Sequence, residues 1–397
     1  MENHFKKSLS DIILASFILS IFYYVPFVGS LFWVHLIING FFLLFSMYVF
    51  LNTNGEFFLK KNGVFLLIIL IVSIFYSLLI FNIQFVFLLS VIFSMCYAFL
   101  GYYVGFDNLN FSKFSRFSSI ILILGLLWVV LAKFNDSLNY VYNIDYGVSV
   151  FDLNLYNNGY NIGRTGWNTS LIILYFLFLY LFYNVKSRFD RLICFFVLFL
   201  ILLSVFISDG KTGTIIIFSF LLLNFVKKIG YIKSSIFIVS FSLLIYYYFD
   251  TIKYFLIQNS RLGMIFDKSA DFTTGRGDAG LTAIEIIKEN LLIGTAYKGG
   301  YTLFDYGYDY KDIHNVWMNI IANFGIIFFI LYFTCLTFFI ANAFKISWKE
   351  RKNVFAFYQL IIASFIVTFV EPLVFVSYLP YVAIFWFALG CMSKSGK

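Results

Sequence analysis

"DIHNVWMNIIANFGIIFF", residues 312–329, begins as a polar loop and ends as an apolar span. Such a crossover within a few residues marks a chain entering a membrane, and the rest of the sequence repeats it. Of the 397 residues 61% are hydrophobic, 23% aromatic and only 12% charged. A soluble domain carries roughly twice that share of charge, so the composition predicts an all-α integral membrane protein. The run after Lys6 and Lys7 is too long for a signal peptide and lacks a small-residue cleavage site, so it reads as a retained span. Cys96, Cys194, Cys335 and Cys391 all fall inside apolar runs, which argues against a disulfide framework or a metal-type CxxC site.

Apolar runs near 9–28, 30–51, 63–82, 84–105, 116–134, 169–185, 191–208, 212–226, 233–251, 320–344, 354–370 and 373–391 predict about 12 transmembrane helices in a single polytopic domain, 1–397. The loops between them alternate in charge. Lys6/Lys7, Lys60/Lys61, Lys113/Arg116, Lys186/Arg188/Arg191, Lys227/Lys228/Lys233, Lys345/Lys349/Arg351/Lys352 and Lys394/Lys397 fall on one side. That side holds roughly 18 basic against 6 acidic residues, and the other roughly 10 against 14. The positive-inside rule makes the basic side cytoplasmic, with both termini there. The net charge of +8 is then mostly a record of topology and no sign of a nucleic-acid partner. No GxxxxGK[ST] phosphate loop is present and the cytoplasmic loops are short, so chemistry is expected outside, without a nucleotide.

Two sizeable outer loops remain, 135–168 and 252–313. The second contains "LTAIEIIKEN", with Ile284, Ile287 and Leu291 at helical spacing opposite Glu285, Lys288 and Glu289. It predicts a short amphipathic helix at the membrane surface near 281–291, stopped by Gly294. Three outer cations stand among glycines: Arg164 in "NIGRTGWN", Lys211 in "SDGKTGT" and Arg276 in "TTGRGD". Glycine lets backbone approach a ligand closely, arginine forks onto phosphate and lysine supplies a point charge. Without a nucleotide site, a lipid-linked diphosphate is the natural anion. Solvated turns and interfacial snorkelling are the plain alternatives, the latter at even odds for Lys211.

His314 sits where the long loop meets the following span. In a helix, Asn315, Asn319 and Asn323 fall on one stripe behind it, while Trp317, Ile320, Ile321 and Phe324 lie on other faces. Amides facing lipid are costly, so the stripe is expected to face a wet cavity or another helix. An imidazole near neutrality suits a general base, and an N-terminal helix histidine that merely packs is the equal alternative. Asp271, Asp278, Asp305, Asp309 and Asp312 are further candidate bases or sugar-binding groups. Tyr301, Tyr306, Tyr308 and Tyr310 read as interfacial aromatics before they read as sugar platforms.

The order of these pieces resembles the bacterial O-antigen polymerase (Wzy-type) and O-antigen ligase superfamily. An Arg-Gly motif precedes a middle span, a basic turn joins two later spans, "GR" leads into an amphipathic helix with "LLIG", and the large loop closes on "HN". The resemblance covers roughly residues 160–330 by motif and the whole chain by topology. It implies an enzyme of the bacterial inner membrane with its active site facing the periplasm. The activity implied is metal-independent transfer of a glycan from undecaprenyl diphosphate to an acceptor hydroxyl, with no cofactor. Carried over by motif, Arg164 and Arg276 hold the diphosphate and His314 is the base. Relatives often have Arg at the short turn where this chain has Lys211, which gives up the bidentate grip. Asn315, Asn319 and Asp278 are supporting candidates.

A polymerase joining one lipid-linked chain to another lipid-linked repeat unit is the favoured reading, with room for a chain-length regulator protein. A ligase handing polymer to lipid A-core shares every motif. A precursor flippase or transporter would place charges mid-span or repeat its architecture. A transferase using polyprenyl-monophosphate sugars would want carboxylates in the first outer loop, which here reads "PFVGS".

Overall fold

The computed structural model describes residues 2–20, 32–53, 57, 60–79, 85–134, 164–207, 211–230, 276–295, 313, 315–350, 355–369 and 380–394, with scattered positions between 233 and 254. Among them the chain is all-helical. The helices are α1 (Glu2–Ser20), α2 (Phe32–Asn52), α3 (Lys61–Leu79), α4 (Phe85–Val104), α5 (Lys113–Phe134), α6 (Arg164–Asn184), α7 (Arg188–Ile207), α8 (Lys211–Ile229), α9 (Arg276–Glu289), α10 (Val316–Glu350), α11 (Phe355–Val367) and α12 (Pro380–Ser393). Stretches of α5, α6, α7 and α10 are long and apolar enough to cross a membrane, and several shorter apolar helices accompany them. Most of the expected 135–168 loop and of the span at 233–251 lies outside the described residues.

α6 is the axis of the bundle. From Trp167 to Leu181 it is buried on every side, the pattern of a helix enclosed by other helices. It packs against α7, α8, α11 and α12. The outer helices keep large apolar residues in the open, such as Phe117, Leu124 and Leu131 on α5 and Phe195 and Phe199 on α7. So broad an apolar exterior fits hydrocarbon and not water.

Where helices meet, small residues and buried amides hold them. α4 and α12 cross backbone to backbone: a Cβ on Gly101 would stand 2.1 Å from the Phe387 carbonyl oxygen, and one on Gly390 2.0 Å from that of Ala98. Close approach of this kind supplies the dispersion that replaces a hydrophobic driving force in lipid. Asn224 and Gln359 exchange amide hydrogen bonds between α8 and α11 at 3.3 and 2.9 Å. The Tyr97 hydroxyl donates to Asn39 at 2.6 Å and Asn342 Nδ2 to Asn62 at 2.5 Å.

One end of the bundle is basic and tightly tied. Asp11 of α1 accepts from the backbone N–H groups of Ser112, Phe114 and Ser115 and from the hydroxyls of Ser112 and Ser115. It thereby caps the start of α5 from another helix, where N–H groups lack partners of their own. Arg116 forks onto Asp190 at 2.7 and 3.1 Å, joining α5 to α7. Lys394 Nζ donates to the carbonyls of Tyr103 and Val104 at the end of α4, and Lys6 lies over the Tyr103 ring. Both described ends of the chain therefore lie at this end.

α10 departs from the single span expected over 320–344. It is broken at Gly325, whose φ of 78° and ψ of 171° are open only to glycine. Trp317 and Phe333, which an unbroken helix would hold about 24 Å apart, meet at 5.2 Å between ring centroids. Trp317 also packs on Phe329, Phe365 and Phe369. The chain therefore folds back at Gly325, with a short leg, 316–324, lying along a long leg, 326–350. The break would orphan the Ala322 carbonyl and the Ile326 N–H. The segment 291–295 satisfies both: Ile326 N donates to Leu291 O at 2.8 Å, while Thr295 N and Oγ1 donate to Ala322 O at 2.9 and 3.2 Å. Gly294 (φ 76°) fits here because a Cβ would stand 2.5 Å from the Asn323 carbonyl carbon. A buried polar backbone survives only with such internal partners.

Candidate functional site

Each of the three glycine-flanked cations begins a helix: Arg164 opens α6, Lys211 opens α8 and Arg276 opens α9. The free N–H groups and positive dipole of a helix start favour an anion and disfavour a cation by about 0.3–1 kcal/mol each. A bound anion reverses that sign for all of them.

The starts of α6 and α8 are neighbours. Gly213, in the first turn of α8, lies against Asn168, with its Cβ position 3.5 Å from Asn168 Oδ1. Asn168 is buried, and neighbouring Trp167, Thr169 and Ser170 are buried with it. This layer lies at the far end of α6 from the basic cluster, since α6 runs into Asn184, followed by α7 with its Asp190. The short leg starts at the same height. Tyr180 of α6 packs on Phe357 of α11 at 4.4 Å. Counting about 16 Å from that contact along each helix sets Thr368 level with Thr169. The Thr368 carbonyl in turn accepts from Val316 N at 2.9 Å.

The asparagines behind His314 divide the work. Asn315 stands just before the helix and caps it, its Oδ1 accepting from Trp317 N and Met318 N at 3.0 Å. Its Nδ2 donates to Phe369 O at 3.3 Å, tying the start of the short leg to the end of α11. Asn323, almost fully buried, donates Nδ2 to the Asn319 carbonyl at 2.9 Å and to Asn319 Oδ1. Trp317 and Phe324 face the main core, as the helical spacing predicts. Met318 and Ala322 instead join Ala283, Ile286, Ile287 and Ile313 in a separate small core against α9.

α9 itself begins earlier than the expected 281–291 helix and stops at Glu289, with turns to Gly294. Gly294, the expected stop, instead follows a further turn beyond the helix end, its N donating to Asn290 O at 2.8 Å. Its protein-facing side is Thr282, Ala283 and Ile286, while Leu281, Ile284 and Leu291–Ile293 are exposed apolar groups. His314, the side chains of Arg164, Lys211, Arg276 and Asp278, the tyrosines at 301–310 and Asp271, Asp305, Asp309 and Asp312 lie outside the described residues. Sequence reading missed Asn168 and Gly325. Asn168 had a signal, because it closes the same "NIGRTGWN" motif. Gly325 had none, since glycine is common in spans. In comparisons with known proteins, no family model and no curated protein matches the chain.

Proposed function

We propose that the chain is a polysaccharide polymerase of the bacterial inner membrane, with about 12 spans, both termini cytoplasmic and its site facing the periplasm. It transfers a growing glycan from undecaprenyl diphosphate to a sugar hydroxyl of a lipid-linked repeat unit. The observation that carries this reading is that the three glycine-flanked cations each open a helix, two of them on the neighbouring helices α6 and α8, where free N–H groups favour an anion.

In the proposed step His314 takes the acceptor O–H proton while the oxygen attacks the anomeric carbon. The new glycosidic C–O bond forms as the C–O bond to the diphosphate breaks, which inverts that centre. Undecaprenyl diphosphate leaves with its charge held by Arg164, Arg276 and Lys211. Diphosphate is a good leaving group, so activating the weakly acidic hydroxyl is the harder half, and a positioned base supplies typically 10²–10⁴-fold.

The test is reconstitution of the purified chain with an undecaprenyl-diphosphate-linked repeat unit and gel analysis of glycan length, without metal or nucleotide. A ladder from the native protein that His314→Ala abolishes supports the reading. No lengthening of a substrate shown to bind sinks it, and transfer to lipid A-core in the same assay would make the chain a ligase.

A further inference from the structure

Three lysines from distant parts of the chain gather at the end of α4: Lys6 of α1, Lys60 ahead of α3 and Lys394 after α12. Lys394 and Asn108 serve the helix carbonyls. Lys394 Nζ donates to Tyr103 O at 2.9 Å and to Val104 O at 3.2 Å, and Asn108 Nδ2 donates to Val104 O at 3.0 Å. Lys6 and Lys60 stand instead over ring faces, with Nζ 4.7 Å from the Tyr103 centroid and 5.1 Å from that of Tyr102. Tyr102 and Tyr103 are adjacent, so the two ammonium groups flank one helix end.

This end is short of negative charge. A helix C-terminus supplies roughly half a charge. Asp107 in the following turn can offset one cation, and Asp11 is committed to the start of α5. Among the described side chains, three ammonium groups outweigh these. The positive-inside rule accounts for lysines on this side of a membrane, but not for their convergence on one helix.

Beside Lys6 the surface turns apolar. Phe5 packs on Phe45 of α2 at 5.8 Å, and Phe45 stacks on Phe41 at 6.3 Å. Phe5 and Phe41 are exposed, so the rings form an open strip. Phe50 of α2 meets Phe99 of α4 at 6.4 Å, which sets Phe41 deeper along the bundle than Phe50. Cations at one end of an apolar strip complement an amphiphile, whereas a free anion would have no use for the strip.

We propose that the end of α4 binds an anionic phospholipid: Lys6 and Lys60 hold its phosphate, and an acyl chain lies along the Phe5, Phe45 and Phe41 rings. Neither lysine belongs to the proposed transfer site, so the lipid site stands apart from the polymerase reading.

The test titrates the full chain, in uncharged detergent, with phosphatidylglycerol and with phosphatidylcholine of the same acyl chains, counting retained lipid by native mass spectrometry. Phosphatidylglycerol is expected to bind the more tightly. Lys6→Gln with Lys60→Gln should weaken it roughly twentyfold, about fivefold per lysine, and leave phosphatidylcholine unchanged. Lys186→Gln with Lys228→Gln removes the same charge from the α6–α7 turn and the end of α8, and should leave binding near native. Equal losses in the two pairs would make the basic end a diffuse charged surface and overturn the site. Lys6→Arg with Lys60→Arg keeps both charges and should keep the preference; its loss there would overturn recognition by charge. Equal retention of the two lipids, or displacement of phosphatidylglycerol by millimolar inorganic phosphate, would overturn the lipid as ligand.

Discussion

Arginine and lysine are not equivalent at the three helix starts. The proposed site asks for a bidentate grip from Arg164 and Arg276 and a point charge from Lys211. Arg164→Lys is therefore expected to cost about ten- to a hundredfold in elongation rate, a loss of about 1.4–2.7 kcal/mol in transition-state binding. Lys211→Arg should retain activity or raise it. Rates of ladder growth for the two variants decide this, and equal losses would remove the distinction. Asn315 separates capping from chemistry. Asn315→Ala loses the bonds to Trp317 N and Met318 N and should cost about 1 kcal/mol, seen as a lower thermal midpoint. Asn315→Ser keeps a cap and should keep both stability and activity; an active-site role for the amide predicts an inactive serine variant.

The α9–α10 junction depends on two glycines at positive φ, Gly294 and Gly325. Gly325→Ala would bring a Cβ to 2.2 Å from the Leu292 carbonyl oxygen in a conformation alanine rarely adopts. It should undock 291–295 from the break, exposing the loop to protease while the bundle stays folded. Unchanged protease resistance would mean that the junction absorbs the strain. Gly101→Val and Gly390→Val fall between α4 and α12 and should instead lower the yield of folded protein. Gly294 was marked in the sequence as a helix stop, but Gly325 was indistinguishable there from Gly101 and Gly390. A hydropathy profile counts a glycine as mildly apolar wherever it falls, and only the neighbouring backbone shows what the missing side chain permits.

The whole bundle is ordered from a basic end to the layer where α6 and α8 begin. Reporter fusions test the proposed orientation: one after Lys397 should be active only inside the cell, and one inserted in the loop before Arg276 only outside. Any other pairing would place the three cations away from the periplasm. Asp11 is the anchor that local patterns do not reveal. One carboxylate in a first helix reads as an ordinary flank, yet it holds five donors at the start of α5. Asp11→Ala should leave those donors unpaired and destabilise the bundle by about 3 kcal/mol or more. The glycine-flanked cations were picked out from spacing and expected in turns ahead of the helices, whereas each is the first residue of a helix. What spacing left open was which starts are neighbours, because Gly213 meets Asn168 only through the packing of α8 on α6.

By itself the sequence determined the membrane class, most of the helices and the gathering of basic residues at one end. Length, hydropathy and charge are local properties, and a bilayer reads them segment by segment. The tertiary structure decided which helix sits at the centre. α6 is the least apolar of the four long candidates and the most buried, because lipid is as apolar as a protein core and hydropathy cannot tell one from the other. It also decided the fold-back at Gly325. Breaking a helix inside the packed protein is tolerable only when another segment takes up the freed N–H and C=O, and that segment lies at 291–295, in an earlier part of the chain.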